Sequence, residues 1–323
     1  MKKEESLVTF YKRVLEPDLL KLEDKRKIIF KHCLFCLVFI CIIIVCIIAF
    51  NINEGIIWIV IGFAAFIAII IDFIKISRIY KDYSKDFKFS IVKNIVEFVN
   101  PKLNYSPYEF VSKSHFKKSR LFNSRIDNYK GDDYISGKID KTELFFSELH
   151  VEKVDHYRNS KGKKRKRITQ IFNGLFFCAD FNKHFTGKTI IAVDKSEKIF
   201  GRLANTFQAM FSHQGELVKF EDPEFEKEFA VYSDSQQQAR YIISPALARR
   251  IIDYKNKAGL DITMSFIDSS VYVAISRNEG FFDPAIFEKT DNFTIVSKVY
   301  EELMLALDLI NILDLNTRIW TKE

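Results

Sequence analysis

Seven basic side chains crowd one ten-residue segment, which is the densest source of chemistry in the chain. They lie in a Gly- and Ser-containing loop between two predicted strands and are Arg158, Lys161, Lys163, Lys164, Arg165, Lys166 and Arg167. Clustered cations attract anions, so the segment predicts binding to an anionic lipid surface, an acidic protein or nucleic acid. A solvated hairpin tip without a ligand is the alternative. The segment has no interleaved aromatic residues and the chain shows no recognition fold, which disfavours nucleic acid as the ligand.

Acidic residues offer a second kind of chemistry. Asp132 and Asp133 precede Glu148 and His150. Alternate residues of a strand face the same side, so Glu148 and His150 could share a metal ion. As an alternative function, these four residues predict a metal-dependent hydrolase. The sequence contains no P-loop, G-x-S-x-G, H-E-x-x-H or G-x-G-x-x-G motif, which favours a protein that is not an enzyme, and no cofactor or catalytic residue is assigned.

The cysteines indicate packing rather than a site. Four of the five lie in one apolar run, at Cys33, Cys36, Cys41 and Cys46. Cys33 and Cys36 have the C-x-x-C spacing of redox and zinc sites, but those sites need thiolates, which apolar surroundings disfavour. The fifth, Cys178, falls on a predicted strand and is expected to be a buried, reduced thiol.

Two uncharged apolar runs, Cys33 to Phe50 and Ile56 to Ile71, are separated by five residues. With flanking residues, each run reaches the ~20 residues that a helix needs to cross a hydrocarbon core of roughly 30 Å. The pattern predicts a transmembrane helical hairpin over residues 28–78, with spans at about 28–50 and 56–74. A cleaved signal peptide and a buried hairpin of a soluble protein are alternatives. The mixed charge before the first run and the lack of a polar stripe disfavour them.

Basic residues flank this hairpin on both sides, whereas the connector has none. They are Lys25, Arg26, Lys27 and Lys31 before the first run, and Lys75, Arg78, Lys81 and Lys85 after the second. The positive-inside rule therefore predicts that both termini are cytoplasmic. The expected domains are an N-terminal amphipathic helix over 1–27 that is interrupted at Pro17, the hairpin, a membrane-proximal helical stem over 79–100 that ends at Asn100-Pro101, and a cytoplasmic domain over 101–323.

The expected fold class of the cytoplasmic domain is α+β, with antiparallel strands covered by helices. Strand patterns cover Tyr134 to Ile139, Glu143 to Leu149, Ile168 to Phe181, Thr189 to Val193, Ile262 to Phe266 and Val271 to Ile275, with extended structure at Leu217 to Phe220 and Phe225 to Tyr232. Helices are predicted at Ile199 to Phe211, from Pro245 with Ser244 as N-cap and Gly259 just past the end, and at Ile295 to Ile310.

Four segments together resemble a known family. They are Gly131 to Gly137, Phe172 to Lys183, Phe220 to Lys227 and Arg240 to Ala246. In this order they are similar to the bacterial membrane-anchored proteins catalogued as domain of unknown function 3137, and the resemblance spans nearly the whole chain. It implies an anchor in the bacterial inner membrane and a cytoplasmic α+β domain. It implies no reaction and no functional residue.

These patterns predict a non-enzymatic, membrane-anchored binding or scaffold module. Membrane lipid is the expected partner, and a protein partner or self-association stays open. Small residues at Gly62, Ala64, Ala65 and Ala68 could line a contact between hairpins, although packing within one hairpin explains them equally well. A channel or transporter is disfavoured because the spans lack polar or broken segments.

Overall fold

The computed structural model describes residues 6–158, 162–181, 185–193 and 215–315. The chain divides into two compact units. The first comprises Met1–Ile95 and Phe282–Tyr300, and the second comprises Val96–Phe281 and Glu301–Glu323. The predicted helix at Ile199 to Phe211 lies outside the described residues, and the predicted domain bounds stay a prediction.

Long helices form the first unit. Their bounds are α1 (Leu7–Phe10), a π-helix (Tyr11–Leu15), α2 (Glu16–Asn53), α3 (Ile56–Phe87), a second π-helix (Lys88–Val92) and α4 (Lys93–Val99). The predicted interruption at Pro17 is wrong, because Pro17 occupies the first turn of α2 and the preceding π-helix joins α1 to it. The stem helix ends before Asn100-Pro101, as predicted.

The two longest helices, α2 and α3, form the expected apolar hairpin. Glu54 adopts a left-handed conformation (φ 47°) and Gly55 caps α3, so the connector is shorter than the five residues predicted. Ala65 and Cys46 are buried, and a Cβ on Gly62 would lie 3.5 Å from Cys46 Cβ. Gly62 and Ala65 therefore pack within the hairpin, which accounts for two of the four small residues.

A polar pair links the same two helices. His32 Nδ1 lies 3.1 Å from Asp72 Oδ1, and neither side chain is more than about a fifth exposed. Sequence reasoning missed this pair because His32 stands at the edge of an apolar run, forty residues from its partner. By contrast, the outward side chains of the hairpin are apolar and more than half exposed, among them Val45, Ile57 and Phe63.

A nine-stranded antiparallel sheet forms the second unit within the described residues, which confirms the α+β class. The strands are β1 (Leu103–Ser106), β2 (Asn128–Ile139), β3 (Thr142–Arg158), β4 (Lys164–Asp180), β5 (Lys188–Val193), β6 (Glu216–Val218), β7 (Phe229–Ser233), β8 (Asp261–Ile267) and β9 (Ser270–Ser276). Their spatial order is β1-β2-β3-β4-β9-β8-β5-β7-β6.

Both faces of the central strands are buried, because neighbouring residues of a strand point to opposite sides. On one face, Leu149, Phe176 and Tyr272 join a core that includes Phe116 and Leu121 of the segment between β1 and β2. On the other face, Phe146, Phe177 and Val273 are fully buried. Two-sided burial explains why these strands contain continuous apolar runs rather than a strict alternation.

Shorter helices complete the chain: α5 (Lys113–Lys118), α6 (Pro223–Glu228), α7 (Gln236–Ile242), α8 (Pro245–Ala258) and α9 (Phe293–Ile312). The prediction for α8 is confirmed, with the Ser244 hydroxyl accepting from Leu247 N and Gly259 in a left-handed conformation. The extended structure predicted for Phe225 to Tyr232 is wrong up to Glu228. Asp222 caps a short helix there, and β7 begins only at Phe229.

Candidate functional site

The predicted basic segment lies at the end of a long two-stranded ribbon. β3 and β4 pair from Leu144 opposite Ala179 as far as Arg158 opposite Lys164. β2 accompanies β3 only as far as Glu152, and β9 accompanies β4 only from Gly174 onward. Beyond those points, no third strand among the described residues pairs with the ribbon. Its free part, residues 153–158 and 164–169, is about 17 Å long at the usual rise of a strand.

The base of this ribbon is braced by Arg125 and Asp127. Asp127 Oδ2 accepts a 2.7 Å hydrogen bond from Val154 N, and Arg125 Nη2 donates a 2.6 Å bond to Val154 O. The Val154 amide, with the Arg125 guanidinium, lowers the pKa of the Asp127 carboxyl. The adjoining register shift between Val151 and Glu152 is the local irregularity expected where a ribbon bends away from a sheet.

Cross-strand pairing distributes the basic side chains over both faces of the ribbon. Arg158 is paired with Lys164, and His156 with Lys166, on one face. Tyr157 is paired with Arg165, and Asp155 with Arg167, on the other. The structure therefore brings together Arg158, Lys163, Lys164, Arg165, Lys166 and Arg167, all of them exposed, whereas Lys161 lies outside the described residues.

Five of these basic residues have no acidic partner among the described residues. Asp155 is the acidic residue within the ribbon, and it already lies 3.1 Å from Lys153 Nζ and 3.9 Å from Arg125 Nη2. In the part of the chain that the structure describes, Arg158, Lys164, Arg165, Lys166 and Arg167 form no ion pair. A cluster of this kind can attract a polyanion, and the attraction weakens as salt is added.

Two exposed apolar side chains accompany the cations, and sequence reasoning missed both. Tyr157 and Ile168 are each 51% exposed. Tyr157 directly precedes the basic segment and Ile168 directly follows it. Their position was readable from the sequence, but their exposure depends on the ribbon leaving the sheet. Such side chains favour the boundary between water and an apolar phase, which adds to what the charges can bind.

The structure also brings three of the four predicted metal ligands together. One oxygen each of Asp132, Asp133 and Glu148 lie within 4.8 Å of one another. Asp133 is fully buried, has a positive φ of 57° and accepts a hydrogen bond from the Tyr105 hydroxyl. Glu148 Oε2 accepts a 2.7 Å bond from Phe281 N. These bonds give two of the carboxylates a structural role, while oxygen-rich groups of this type can also hold Mg²⁺ or Ca²⁺.

The fourth predicted ligand, His150, has other partners. Its Nδ1 lies 2.9 Å from Asn173 Oδ1 and its Nε2 lies 2.9 Å from Glu152 Oε1. The hydrogen bond to Asn173 and, to a smaller extent, the hydrogen bond to Glu152 raise the pKa of His150. His150 is not part of the group of three carboxylates, so the hydrolase alternative retains Asp132, Asp133 and Glu148 as neighbours.

Two of the cysteines, Cys46 and Cys178, are buried, whereas Cys33 and Cys36 are half-buried and Cys41 is exposed. All five are free thiols. Cys178 is buried in the core beside Phe176, and burial raises the pKa of its thiol to about 12. A thiol with that pKa stays protonated at neutral pH, which argues against a nucleophilic role.

Comparison with known proteins identifies a family for part of the chain. Residues 170–315 match the family described as "Protein of unknown function (DUF3137)", so the resemblance seen in the sequence is confirmed over that range. No curated protein matches the chain. Among solved structures, the chain is similar to the mycobacterial trehalose monomycolate transport factor A at 11% identity. That alignment covers 66% of this chain and 93% of the other, with a TM-score of 0.31. A likeness at that level carries no inference about fold or function.

Proposed function

We propose that this chain, which carries the DUF3137 domain over residues 170–315, is a membrane-anchored module that binds an anionic lipid surface through its basic ribbon. The apolar hairpin of α2 and α3 is the anchor. The location proposed is the bacterial inner membrane, with both termini in the cytoplasm. The observation that carries the binding function is the exposed cluster of basic side chains at the end of β3 and β4, five of which form no ion pair within the described residues.

The anchor is supported by length, composition and exposure. Both helices are long and apolar enough to cross a membrane, and only 6% and 11% of their most apolar stretches is buried. The core helix of a soluble protein hides such a stretch, whereas these stretches present Val45, Ile57 and Phe63 outward. A cleaved signal peptide does not explain a second apolar helix that packs against the first through Gly62 and Ala65.

The orientation is supported by the distribution of basic residues. Some of the cations before the first span have acidic neighbours: Arg26 pairs with Glu23, and Lys25 with Asp86. Acidic residues contribute little to the positive-inside rule, which depends on the number of Lys and Arg residues beside each span. The connector, which ends with Glu54 and Gly55, has none.

One physical argument and one observation favour lipid over an acidic protein as the ligand. A domain tethered to a bilayer meets that surface at a high effective concentration, so weak contacts suffice for binding. Each basic residue near an anionic leaflet contributes about 1 kcal/mol at most. In addition, Tyr157 and Ile168 flank the cations with exposed apolar surface, which suits a lipid interface.

The test is a flotation assay with the full-length protein held in nanodiscs of neutral phosphatidylcholine. Vesicles that contain phosphatidylglycerol are added, and the amount of protein that floats with them is measured as the salt concentration rises. In the ribbon variant, Ser replaces the seven basic residues Arg158, Lys161, Lys163, Lys164, Arg165, Lys166 and Arg167. The charge-matched control replaces seven exposed lysines elsewhere in the second unit: Lys102, Lys117, Lys118, Lys130, Lys138, Lys141 and Lys227.

We expect the natural protein to bind these vesicles in a salt-dependent manner, the control to retain binding, and the ribbon variant to lose it. Equal losses in both variants would show that only the total charge matters. Absence of vesicle binding by the natural protein would contradict the lipid function, and an acidic protein partner that requires the ribbon would then take its place. The metal-dependent hydrolase stays a prediction, supported only by the proximity of Asp132, Asp133 and Glu148.

A further inference from the structure

One exposed phenylalanine stands out in the first unit. Phe287 is 78% exposed, whereas Phe282 and Pro284 of the same loop are buried and Ala285 and Ile286 are half-buried. A large aromatic ring that is left almost entirely uncovered is available for a contact outside the polypeptide.

The loop is held firmly by the long helices. Tyr83 Oη of α3 donates a 3.1 Å hydrogen bond to Ala285 O, and Arg26 Nη1 of α2 donates a 3.0 Å bond to Ile286 O. On the far side of Phe287, Glu23 Oε2 accepts from the amide of Thr290 at 3.0 Å and from its hydroxyl at 2.9 Å. Phe287 is therefore fixed by bonds both before and after it in the chain.

A buried ion pair supports these bonds. Arg26 Nε and Nη2 each lie 2.7 Å from an oxygen of Glu23, in the two-pronged geometry that suits a guanidinium and a carboxylate. Glu23 is only 2% exposed and Arg26 only 8% exposed. Since Arg26 also donates to the loop and Glu23 also accepts from it, the ion pair and the loop conformation depend on each other.

Glu23, Arg26 and Tyr83, which together hold the loop from Ala285 to Thr290, form a clamp. This clamp lies near the expected edge of the bilayer. Arg26 precedes residue 28, the expected start of the first span, by about 3 Å along the helix axis. The exposed side chains of Ile28 and Phe30 continue the apolar surface of α2 from that level onward. The headgroup layer of a bilayer is roughly 5–8 Å thick on each side of the hydrocarbon. At α2, the Ile286 carbonyl that Arg26 holds is thus level with that layer. At α3, Tyr83, which holds the neighbouring Ala285 carbonyl, lies about 13.5 Å along the helix beyond the expected end of the second span at Ile74.

We propose that Phe287 inserts its ring into the headgroup layer beside the hairpin and so acts as an interfacial anchor of the first unit. The inference rests on the membrane anchoring proposed above, since the lipid it contacts is the leaflet that the hairpin enters. Exposed Glu288 and Lys289 follow Phe287 directly and keep its insertion shallow, because charged groups stay in the hydrated layer.

The experiment places a tryptophan at this position in the full-length protein in vesicles. The chain's two tryptophans, Trp58 and Trp320, are first changed to Phe, and Phe287→Trp is then introduced. Lipids brominated near the headgroup quench only a tryptophan that touches them. We expect blue-shifted emission and strong quenching of Trp at position 287. Emission typical of water, without quenching, would overturn the proposal.

The matched control is Phe89→Trp in the same background. Phe89 is an exposed phenylalanine of the first unit, about 22 Å beyond the expected end of the second span at Ile74. It should remain unquenched, and equal quenching at both positions would overturn the proposal. Resistance of the protein to carbonate extraction reports hairpin insertion separately. Failure of the anchoring itself is thereby distinguished from failure of the inference about Phe287.

The clamp gives a second readout. Adding Glu23→Gln to the Phe287→Trp protein should release the loop and reduce the quenching. Adding Asp24→Asn, which removes a charge from an exposed neighbour, should leave it unchanged. Undiminished quenching in the Glu23→Gln protein would show that the clamp does not position the ring and would overturn that part of the proposal.

Discussion

Replacing Glu23 with Gln removes one charge from the most deeply buried ion pair of the first unit. The Arg26 guanidinium, together with the amide and hydroxyl of Thr290, lowers the pKa of Glu23 from 4.5 to about 2. Each unit of pKa shift corresponds to 1.36 kcal/mol, so the ionised carboxylate contributes about 3 kcal/mol to the folded state. Breaking a buried pair by removing one partner typically costs about 3–5 kcal/mol, which agrees with that value.

Hydrogen–deuterium exchange of the segment around Thr290 measures this loss directly, because the Thr290 amide donates to Glu23 Oε2 at 3.0 Å. In the full-length protein in nanodiscs, a loss of about 3 kcal/mol corresponds to exchange that is roughly a hundredfold faster or more. The same segment also contains Ile286, whose carbonyl accepts from Arg26, so neighbouring amides should lose protection with it.

Asp24→Asn is the matched control. Asp24 precedes the same turn of α2, but its carboxylate is 79% exposed and lies 3.7 Å from the exposed Lys27 ammonium. Exposed pairs of this kind contribute about 0–1 kcal/mol, so exchange at Thr290 should change little. If Glu23→Gln and Asp24→Asn left the loop equally protected, the reasoning that the buried pair holds the loop would be refuted.

The pH dependence follows with a definite sign. Because the pKa of Glu23 is lower in the folded state, its contribution is fully present above pH 4.5 and is lost as the pH falls from there toward about 2. Loop exchange, corrected for the intrinsic effect of pH on exchange chemistry, should therefore accelerate through that window in the natural protein. In Glu23→Gln it should show no such step.

Three further outcomes are expected. Gly174→Ala should destabilise the sheet by more than about 3 kcal/mol in a thermal melt, because its φ is +139° and a Cβ would lie 2.1 Å from Ile275 O. Gly162→Ala, whose Cβ would meet no atom within 4 Å, should cost only the roughly 1–2 kcal/mol of its positive φ of +74°. Asp72→Leu, which removes the partner of His32, should cost about 1 kcal/mol in bicelle unfolding, whereas Asp82→Leu at an exposed position should not. Added Mn²⁺ should leave the melting temperature of the full chain unchanged, and a rise that Asp132→Asn abolishes would favour the hydrolase alternative.

Local signals in the sequence were sufficient wherever a structure is determined by neighbouring residues. Ser244, Pro245 and Gly259 mark the start and end of α8, and each occupies the predicted capping position. Strands were also predicted at Ile262 to Phe266 and Val271 to Ile275. In the turn between them, Asp268 and Ser269 both have the positive φ that such hairpin turns require. These elements depend on the backbone preferences of a few adjacent residues, so they can be predicted without knowing where they lie in the fold.

The same type of signal was outweighed at α6. Asp222 caps this helix and Pro223 opens it, just as Ser244 and Pro245 open α8. The segment Phe225 to Tyr232 was nevertheless interpreted as extended structure after a turn at Pro223. Only six residues are helical there, and a short helix gives too few turns for its apolar period to be recognised.

Contacts between distant residues could not be read from the sequence. Glu23 and Thr290 are hydrogen-bonded although they are 267 positions apart, and neither local sequence indicates the other as a partner. The basic segment was recognised by composition, but the free ribbon that exposes it depends on where β2 and β9 stop pairing with β3 and β4. That register is set by the whole sheet, so the exposure of Tyr157 and Ile168 followed only from the structure.

The location of the net charge supports the proposal that the ribbon is a binding element rather than a source of solubility. The chain has a formal net charge of +7, and the segment from Arg158 to Arg167 contains seven basic residues and no acidic residue. Outside this segment, the basic and acidic residues are therefore equal in number. Charge that serves solubility can be dispersed over a surface, but here the whole excess lies within one ten-residue segment. Replacing those seven residues also removes the net charge of the protein, so only the charge-matched lysine variant can separate a specific site from a general attraction.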